Sequence, residues 1–101
     1  MIFPKFIIEE DNLILSKVSY HKDLVTDKTK VKGGGWFRYE NDNNDTLIFY
    51  GESIQFSCAK LEDIRKCVEE KKIFSNKQLT NNISEKHNFA YDTGSEIINL
   101  I

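Results

Sequence analysis

The chain has few cysteines, no apolar run of membrane-spanning length and no excess of basic residues. Its 101 residues include two cysteines and carry a formal net charge of -2. Because a transmembrane helix needs about 20 consecutive apolar residues, we expect no membrane span. Met1 to Lys5 lack the basic flank and long apolar region of a signal peptide, which favours a cytoplasmic location. Without a basic field to attract phosphate backbones, nucleic acid is not an expected partner.

The two cysteines, Cys58 and Cys67, do not indicate a disulfide. They fall on one predicted helix, where their spacing places them on opposite sides and about 13 Å apart along the axis. A disulfide needs Cα atoms about 5.5 Å apart, so we expect two free thiols. The two histidines and two cysteines form no ligand pattern, and the sequence predicts neither a metal nor another cofactor. A P-loop and a serine-hydrolase elbow are absent from the sequence as well.

What the chain does contain is an ordinary globular composition, with 40% hydrophobic and 30% charged residues. This composition and length predict a single domain over residues 1–101 with a small core. The apolar runs 5–8 and 13–15 are separated by four polar residues. That pattern predicts two strands joined by a tight turn.

The clearest predicted hairpin joins strands at residues 36–40 and 46–50. The loop 41–45 between them consists only of Asn and Asp, which favour turns. Alternation places Phe37 and Tyr39 on one face of the first strand, and Trp36 and Arg38 on the other. The second strand is apolar on both faces, as expected for a central strand.

Two helices are predicted, one before and one after this hairpin. Ser19 can cap a short helix from residue 20 to about 27. Ser57 can cap a longer helix from residue 58 to about 71, with a buried stripe of Leu61, Ile64 and Val68.

Beyond Phe74 the pattern weakens. Residues 75–86 are polar and have no period, whereas residues 89–91 can form a final strand. The apolar tail 97–101 either docks or frays, and both alternatives stay open.

Glycines mark the candidate cleft. Gly33, Gly34 and Gly35 lead into the strand at Trp36, and Gly51 follows the next strand. Three glycines in a row leave bare peptide groups that can lie against a ligand or against a packed helix. Both alternatives stay open, and the four glycines and Trp36 are the predicted cleft-forming residues.

Three segments carry a family resemblance: Tyr20-His21-Lys22-Asp23, Gly33-Gly34-Gly35 and Tyr50-Gly51-Glu52-Ser53-Ile54-Gln55-Phe56-Ser57. In this order they resemble the protein histidine phosphatases of the Janus/Ocnus family. That family carries Tyr-His-x-Asp, Gly-Gly-Gly and Tyr-Gly-x-Ser-x-x-Tyr-Gly segments. The resemblance covers residues 17–68. This chain has Trp36 where the family often has arginine.

The resemblance implies an α/β fold, with a single mixed sheet of about five to six strands and a helix packed on each face. It also implies metal-independent removal of phosphate from phosphohistidine, with His21 as the catalytic nucleophile or general base. Backbone amides at Lys22, Ser53 and Gln55 would bind the phosphate. Lys5 would supply a cation.

The residues support this chemistry by themselves. His21 is predicted in the first turn of a helix, where the dipole keeps an imidazole neutral and favours an anion. We therefore expect a phosphatase-like protein acting on a phosphorylated protein or a small phosphate-containing ligand. A non-catalytic anion- or peptide-binding module of the same fold is the alternative. A third possibility is an interaction protein that uses Trp36 and the tail as its contact surface. The sequence predicts no oligomeric state.

Overall fold

A computed structural model describes residues 3–40, 46–75 and 88–100 of the chain. Within these ranges lie seven strands and one α-helix: β1 (Phe3–Glu9), β2 (Asn12–Val18), β3 (Val31–Tyr39), β4 (Thr46–Tyr50), α1 (Leu61–Glu69), β5 (Ile73–Ser75), β6 (Asn88–Asp92) and β7 (Ile97–Asn99). Two 3₁₀ turns, His21–Leu24 and Lys28–Lys30, connect β2 to β3. The predicted loop 41–45 and residues 76–86 of the polar stretch lie outside the described residues.

The strands form one mixed sheet in the order β5-β2-β1-β3-β4-β6-β7. The pairs β2/β5 and β4/β6 are parallel, and the other neighbouring pairs are antiparallel. The predicted combination of a mixed sheet with helix is confirmed. The expected number of five to six strands is too low, because β5 and β7 span three residues each and are too short to show a period in the sequence.

The strands of both predicted hairpins are confirmed. β1 pairs with β2 from Phe3↔Val18 to Glu9↔Asn12, and β3 pairs with β4 from Trp36↔Tyr50 to Tyr39↔Leu47. β1 lies between β2 and β3 and is buried from Lys5 to Glu9, because both faces of the sheet are covered at this point.

The main core lies on one face of the sheet, under α1. Phe6 and Phe49 from neighbouring parts of the sheet meet edge to face, with ring centroids 5.0 Å apart. Ile64 and Val68 of α1 pack in the same cluster, which also holds Cys67. Burial of this stripe confirms the predicted inner face of the helix, although Leu61 is only partly buried.

The bounds of the predicted long helix are wrong at both ends. Ser57 has a left-handed φ of 67° and does not cap α1, which begins three residues later than residue 58, at Leu61. The carbonyl of Ser57 accepts a hydrogen bond from the Gly34 amide at 2.9 Å, so this segment runs beside β3 instead of coiling. At the other end, Lys71 has a φ of 58° and cannot continue the helix.

Both cysteines are free, as predicted, but the reason given above is wrong for one of them. Cys67 is buried on α1, whereas Cys58 is exposed and lies before the helix begins. The two thiols therefore do not share a helix.

The helix predicted from residue 20 to 27 is also wrong. The chain makes a single 3₁₀ turn, His21–Leu24, and its N-cap is Tyr20 rather than Ser19. A carboxylate from β1 explains the early end: Glu9 accepts hydrogen bonds from the Thr26 amide, the Thr26 hydroxyl and the Asp27 amide. These amides are thereby removed from any helical ladder. The second face of the sheet is covered by this turn, and the expected α-helix on each face is not found among the described residues.

The C-terminal tail docks. β6 covers the strand predicted at residues 89–91, but it is not the last strand, since β7 pairs with it antiparallel. Leu100 follows β7, is 2% exposed and joins the main core. Within the described ranges, no helix is both long enough and apolar enough to cross a bilayer.

Candidate functional site

The three glycines lie inside β3 rather than before it, so the predicted start of this strand was too late. Each one allows a close approach. A Cβ at Gly34 would lie 2.7 Å from the carbonyl oxygen of Phe6 and 3.3 Å from His21 Cδ2. A Cβ at Gly33 would lie 2.7 Å from Ala59 Cα. The packing alternative for the glycines therefore holds. The absence of a side chain at Gly34 is what allows the His21 ring to lie against the strand.

His21 is held against this bare strand. Its Nε2 lies 2.8 Å from the carbonyl oxygen of Gly35, and the residue is 8% exposed. Because a carbonyl oxygen only accepts, Nε2 carries the proton and Nδ1 carries the lone pair. No buried side-chain nitrogen or oxygen of the described residues lacks a hydrogen-bond partner, so Nδ1 reaches the surface.

The imidazole is neutral at neutral pH. Burial lowers the pKa of His21, the bond to Gly35 partly offsets this, and the charge of Lys5 lowers the pKa further. A neutral ring was predicted, but from a helix dipole. The turn spans four residues, so burial and Lys5 are the causes instead.

Lys5 is a buried cation beside the ring. Its ammonium donates to the Val18 carbonyl at 3.0 Å and lies 4.6 Å from the ring centroid of Trp36 and 4.9 Å from that of Phe3. Burial lowers the pKa of Lys5, and the Asp23 carboxylate partly offsets this effect. An ammonium has three N–H groups, and one carbonyl uses one of them.

These groups open into one cavity of about 410 Å³, which we call the His21 cavity. Four separate segments of the chain line it: Phe3 and Lys5; Ser19, Tyr20 and His21; Trp36; and Glu52, Ile54 and Gln55. The predicted catalytic histidine, the predicted cation Lys5 and the predicted phosphate-binding Gln55 are therefore brought together. Trp36 forms a wall, with its ring edge-on to His21 at 5.7 Å between centroids.

Ser53 and Lys22 do not line the His21 cavity. The Ser53 amide donates to the Gly34 carbonyl at 3.0 Å, and the Ser53 hydroxyl accepts from the amides of Gln55 at 3.2 Å and Phe56 at 3.1 Å. The Ser53 and Gln55 amides, which were predicted to bind phosphate, are thus used inside the protein. The Lys22 ammonium lies 5.2 Å from the Tyr20 ring centroid.

Gly51 packs closely against Trp36, which forms one wall of the His21 cavity. It has a φ of 70°, and a Cβ there would lie 2.8 Å from Trp36 Cδ1. The adjoining residue, Glu52, lines the His21 cavity and was not among the predicted site residues. Its position inside the Tyr-Gly-x-Ser segment was the signal that could have identified it.

A second cavity of about 370 Å³ adjoins the same turn. Glu52 lines it as well, together with Tyr50, Gly51, Cys58, Tyr91, Asp92, Thr93 and Gly94. Burial, followed by the hydrogen bond to Cys58, raises the pKa of Tyr91 to about 12. Tyr91 is therefore a neutral phenol at neutral pH.

The part of the chain that the structure describes contains no group of three His, Cys, Asp or Glu side chains arranged to hold a metal ion. Comparisons with protein-family models, with curated proteins and with solved structures gave no match.

Proposed function

We propose that this protein binds a phosphoryl group in the His21 cavity and hydrolyses phosphohistidine through His21, without a metal. The observation that carries the proposal is the fixed tautomer of His21. Nε2–H donates a hydrogen bond to the Gly35 carbonyl, so Nδ1 carries the lone pair of a neutral ring. This ring lines a cavity that Lys5 also lines. The resemblance to protein histidine phosphatases in three ordered segments supports the same reaction.

The polar groups of the cavity have distinct roles in the proposed hydrolysis. Nδ1 attacks phosphorus, and the positive charge that develops on the ring is stabilised by the Nε2–H bond to the Gly35 carbonyl. The Lys5 ammonium offsets the negative charge on the phosphoryl oxygens in the transition state. Trp36 and Phe3 exclude water from one side of that ammonium, which strengthens its interaction with an anion.

Loss of the His21 nucleophile tests the proposal. Gln can place an N–H near the position of Nε2 and keep the bond to Gly35, but it has no nucleophilic nitrogen. We expect His21→Gln to remain folded and to reduce phosphohistidine hydrolysis by about 10²-fold or more. His87→Gln, at the other histidine of the chain, is the matched control and should retain activity. Unchanged turnover in His21→Gln would overturn the proposal.

A non-catalytic anion-binding module is the second candidate. It is favoured by one specific observation: the Ser53 and Gln55 amides are already hydrogen-bonded inside the protein, and among the described residues Lys5 is the one cation that lines the cavity. Inorganic phosphate that shifts the NMR signals of Lys5, His21 and Trp36, in a protein without turnover, would favour this function over hydrolysis.

A further inference from the structure

Among the residues that the structure describes, Glu52 is the one carboxylate that lines the His21 cavity. Its side chain is exposed, and none of the ion pairs among the described residues involves it. Lys5 is the one cation that the described part of the chain contributes to the same cavity. The site therefore pairs a buried positive charge with an unpaired negative charge at its wall.

This arrangement is unfavourable for an ordinary phosphate ester. An ester dianion brings two negative charges to a cavity lined by one ammonium and one carboxylate, and the Asp23 carboxylate already acts on that ammonium. Trp36 is uncharged and does not offset this excess of negative charge. A ligand that is negative at its phosphoryl group and positive next to it fits both Lys5 and Glu52.

We propose that Glu52 is a specificity-determining residue that selects phosphoramidates with a protonated, ring-bearing leaving group over phosphate esters. This inference rests on the proposed function of the same cavity. The protonated ring of phosphohistidine is a cation, so the Glu52 carboxylate attracts it. A hydroxyl leaving group offers no such charge.

The electrons balance in this reaction. The Nδ1 lone pair of His21 forms the new N–P bond, and the P–N bond of the substrate breaks with its electron pair going to the leaving nitrogen. Because the substrate ring already carries a proton on its other nitrogen, it leaves as neutral imidazole. Water then attacks phosphorus, the pair of the N–P bond returns to Nδ1, and phosphate and one proton are released.

The neighbourhood of Glu52 has room for that ring. Glu52 lines the second cavity as well as the His21 cavity, so the two cavities adjoin the same residue. Tyr50 and Tyr91 line the second cavity and offer aromatic surface to a planar leaving group. A ring that departs from the phosphoryl group can therefore move past Glu52 without leaving the protein surface.

The test compares two substrates in one variant. Glu52→Gln removes the charge and keeps the shape, and kcat/KM is measured for phosphohistidine and for para-nitrophenyl phosphate at mildly acidic pH. We expect the preference for phosphohistidine to fall roughly tenfold, the scale of one partly solvated charge interaction. Glu52→Asp, which keeps the charge, should retain most of the preference. Glu62→Gln makes the same charge change on the exposed face of α1 and should leave the preference unchanged.

The outcomes separate the two proposals. An active protein whose preference is the same in Glu52→Gln as in Glu62→Gln would overturn the role of Glu52 alone. A wild-type protein that hydrolyses neither substrate would overturn the proposed function, and the selection by Glu52 with it.

Discussion

The buried imidazole of His21 is fixed from two sides. The Gly35 carbonyl accepts a hydrogen bond from Nε2–H, and the ring lies close to Gly34, where even a methyl group would approach Cδ2 to 3.3 Å. Trp36 meets the ring edge-on. These contacts restrict rotation of the ring, so the tautomer and the direction of Nδ1 are set before any ligand binds, as the catalysis that we propose requires.

The protonation of His21 links stability to pH. Its pKa in the folded protein lies below the ordinary value of 6.5, with burial as the main cause. Above pH 6.5 neither state holds the proton, and the contribution of the neutral ring to stability is complete. As pH falls from 6.5 to the lowered pKa, the unfolded chain binds the proton first, so stability is lost. Urea unfolding at several pH values should show a steeper loss over this window in wild-type protein than in His21→Gln. Equal slopes would contradict the lowered pKa.

At the residue scale, three of the residues predicted from the sequence line the candidate site. His21, Lys5 and Gln55 line one cavity because their segments lie side by side in the fold. β1 pairs with β3, and the turn after β4 is hydrogen-bonded to β3. The predicted roles of the Ser53 and Gln55 amides depended on what those amides contact, and their partners come from the folded turn itself. Glu52 was missed because a carboxylate in a turn looks, in sequence, like any other exposed charge.

At the scale of elements, local sequence patterns predicted the longer strands correctly. They failed where a residue distant in sequence determines the local backbone conformation. Short apolar runs, alternation in β3 and turn residues identified β1 to β4. The helix predicted from residue 20 to about 27 does not continue past the 3₁₀ turn because of Glu9, a residue distant in sequence. Its carboxylate accepts hydrogen bonds from the amides of Thr26 and Asp27. The start of β3 was placed too late because glycine is a poor strand former, and only the packed neighbours explain why it stands there.

Strand β3 should not tolerate a side chain at Gly34. A Cβ there would lie 2.7 Å from the backbone oxygen of Phe6, which cannot move without disturbing the β1–β3 pairing. We expect Gly34→Ala to lower the free energy of unfolding by about 1–3 kcal/mol and to shift the His21 ring signals in NMR spectra. Lys32→Ala, at an exposed position of the same strand, should change neither. A Gly34→Ala protein with wild-type stability and unchanged His21 signals would show that the close approach is not needed.

At the scale of the whole molecule, the candidate site and the C-terminal strands are built from different parts of the chain. The lining of the His21 cavity comes from β1, the segment that leads into the first 3₁₀ turn, β3 and the turn after β4, all within residues 3–55. The C-terminal strands β6 and β7 extend the sheet on the side of β4 and place Leu100 in the core beneath α1. The three-residue β7 has little pairing of its own, so burial of Leu100 holds the tail in place.

Two substitutions in the tail measure that docking. Leu100 is 2% exposed and its amide donates to the Phe89 carbonyl at 2.9 Å, whereas Ile97 is 51% exposed. We expect Leu100→Ala to lower the free energy of unfolding by about 2–5 kcal/mol, because it leaves a cavity in the core. Ile97→Ala should cost less than about 1 kcal/mol, since half of that side chain already faces water. Urea unfolding of the two variants gives both values. If they proved equal and small, the tail would be frayed in solution, and the main core would have to close without β7.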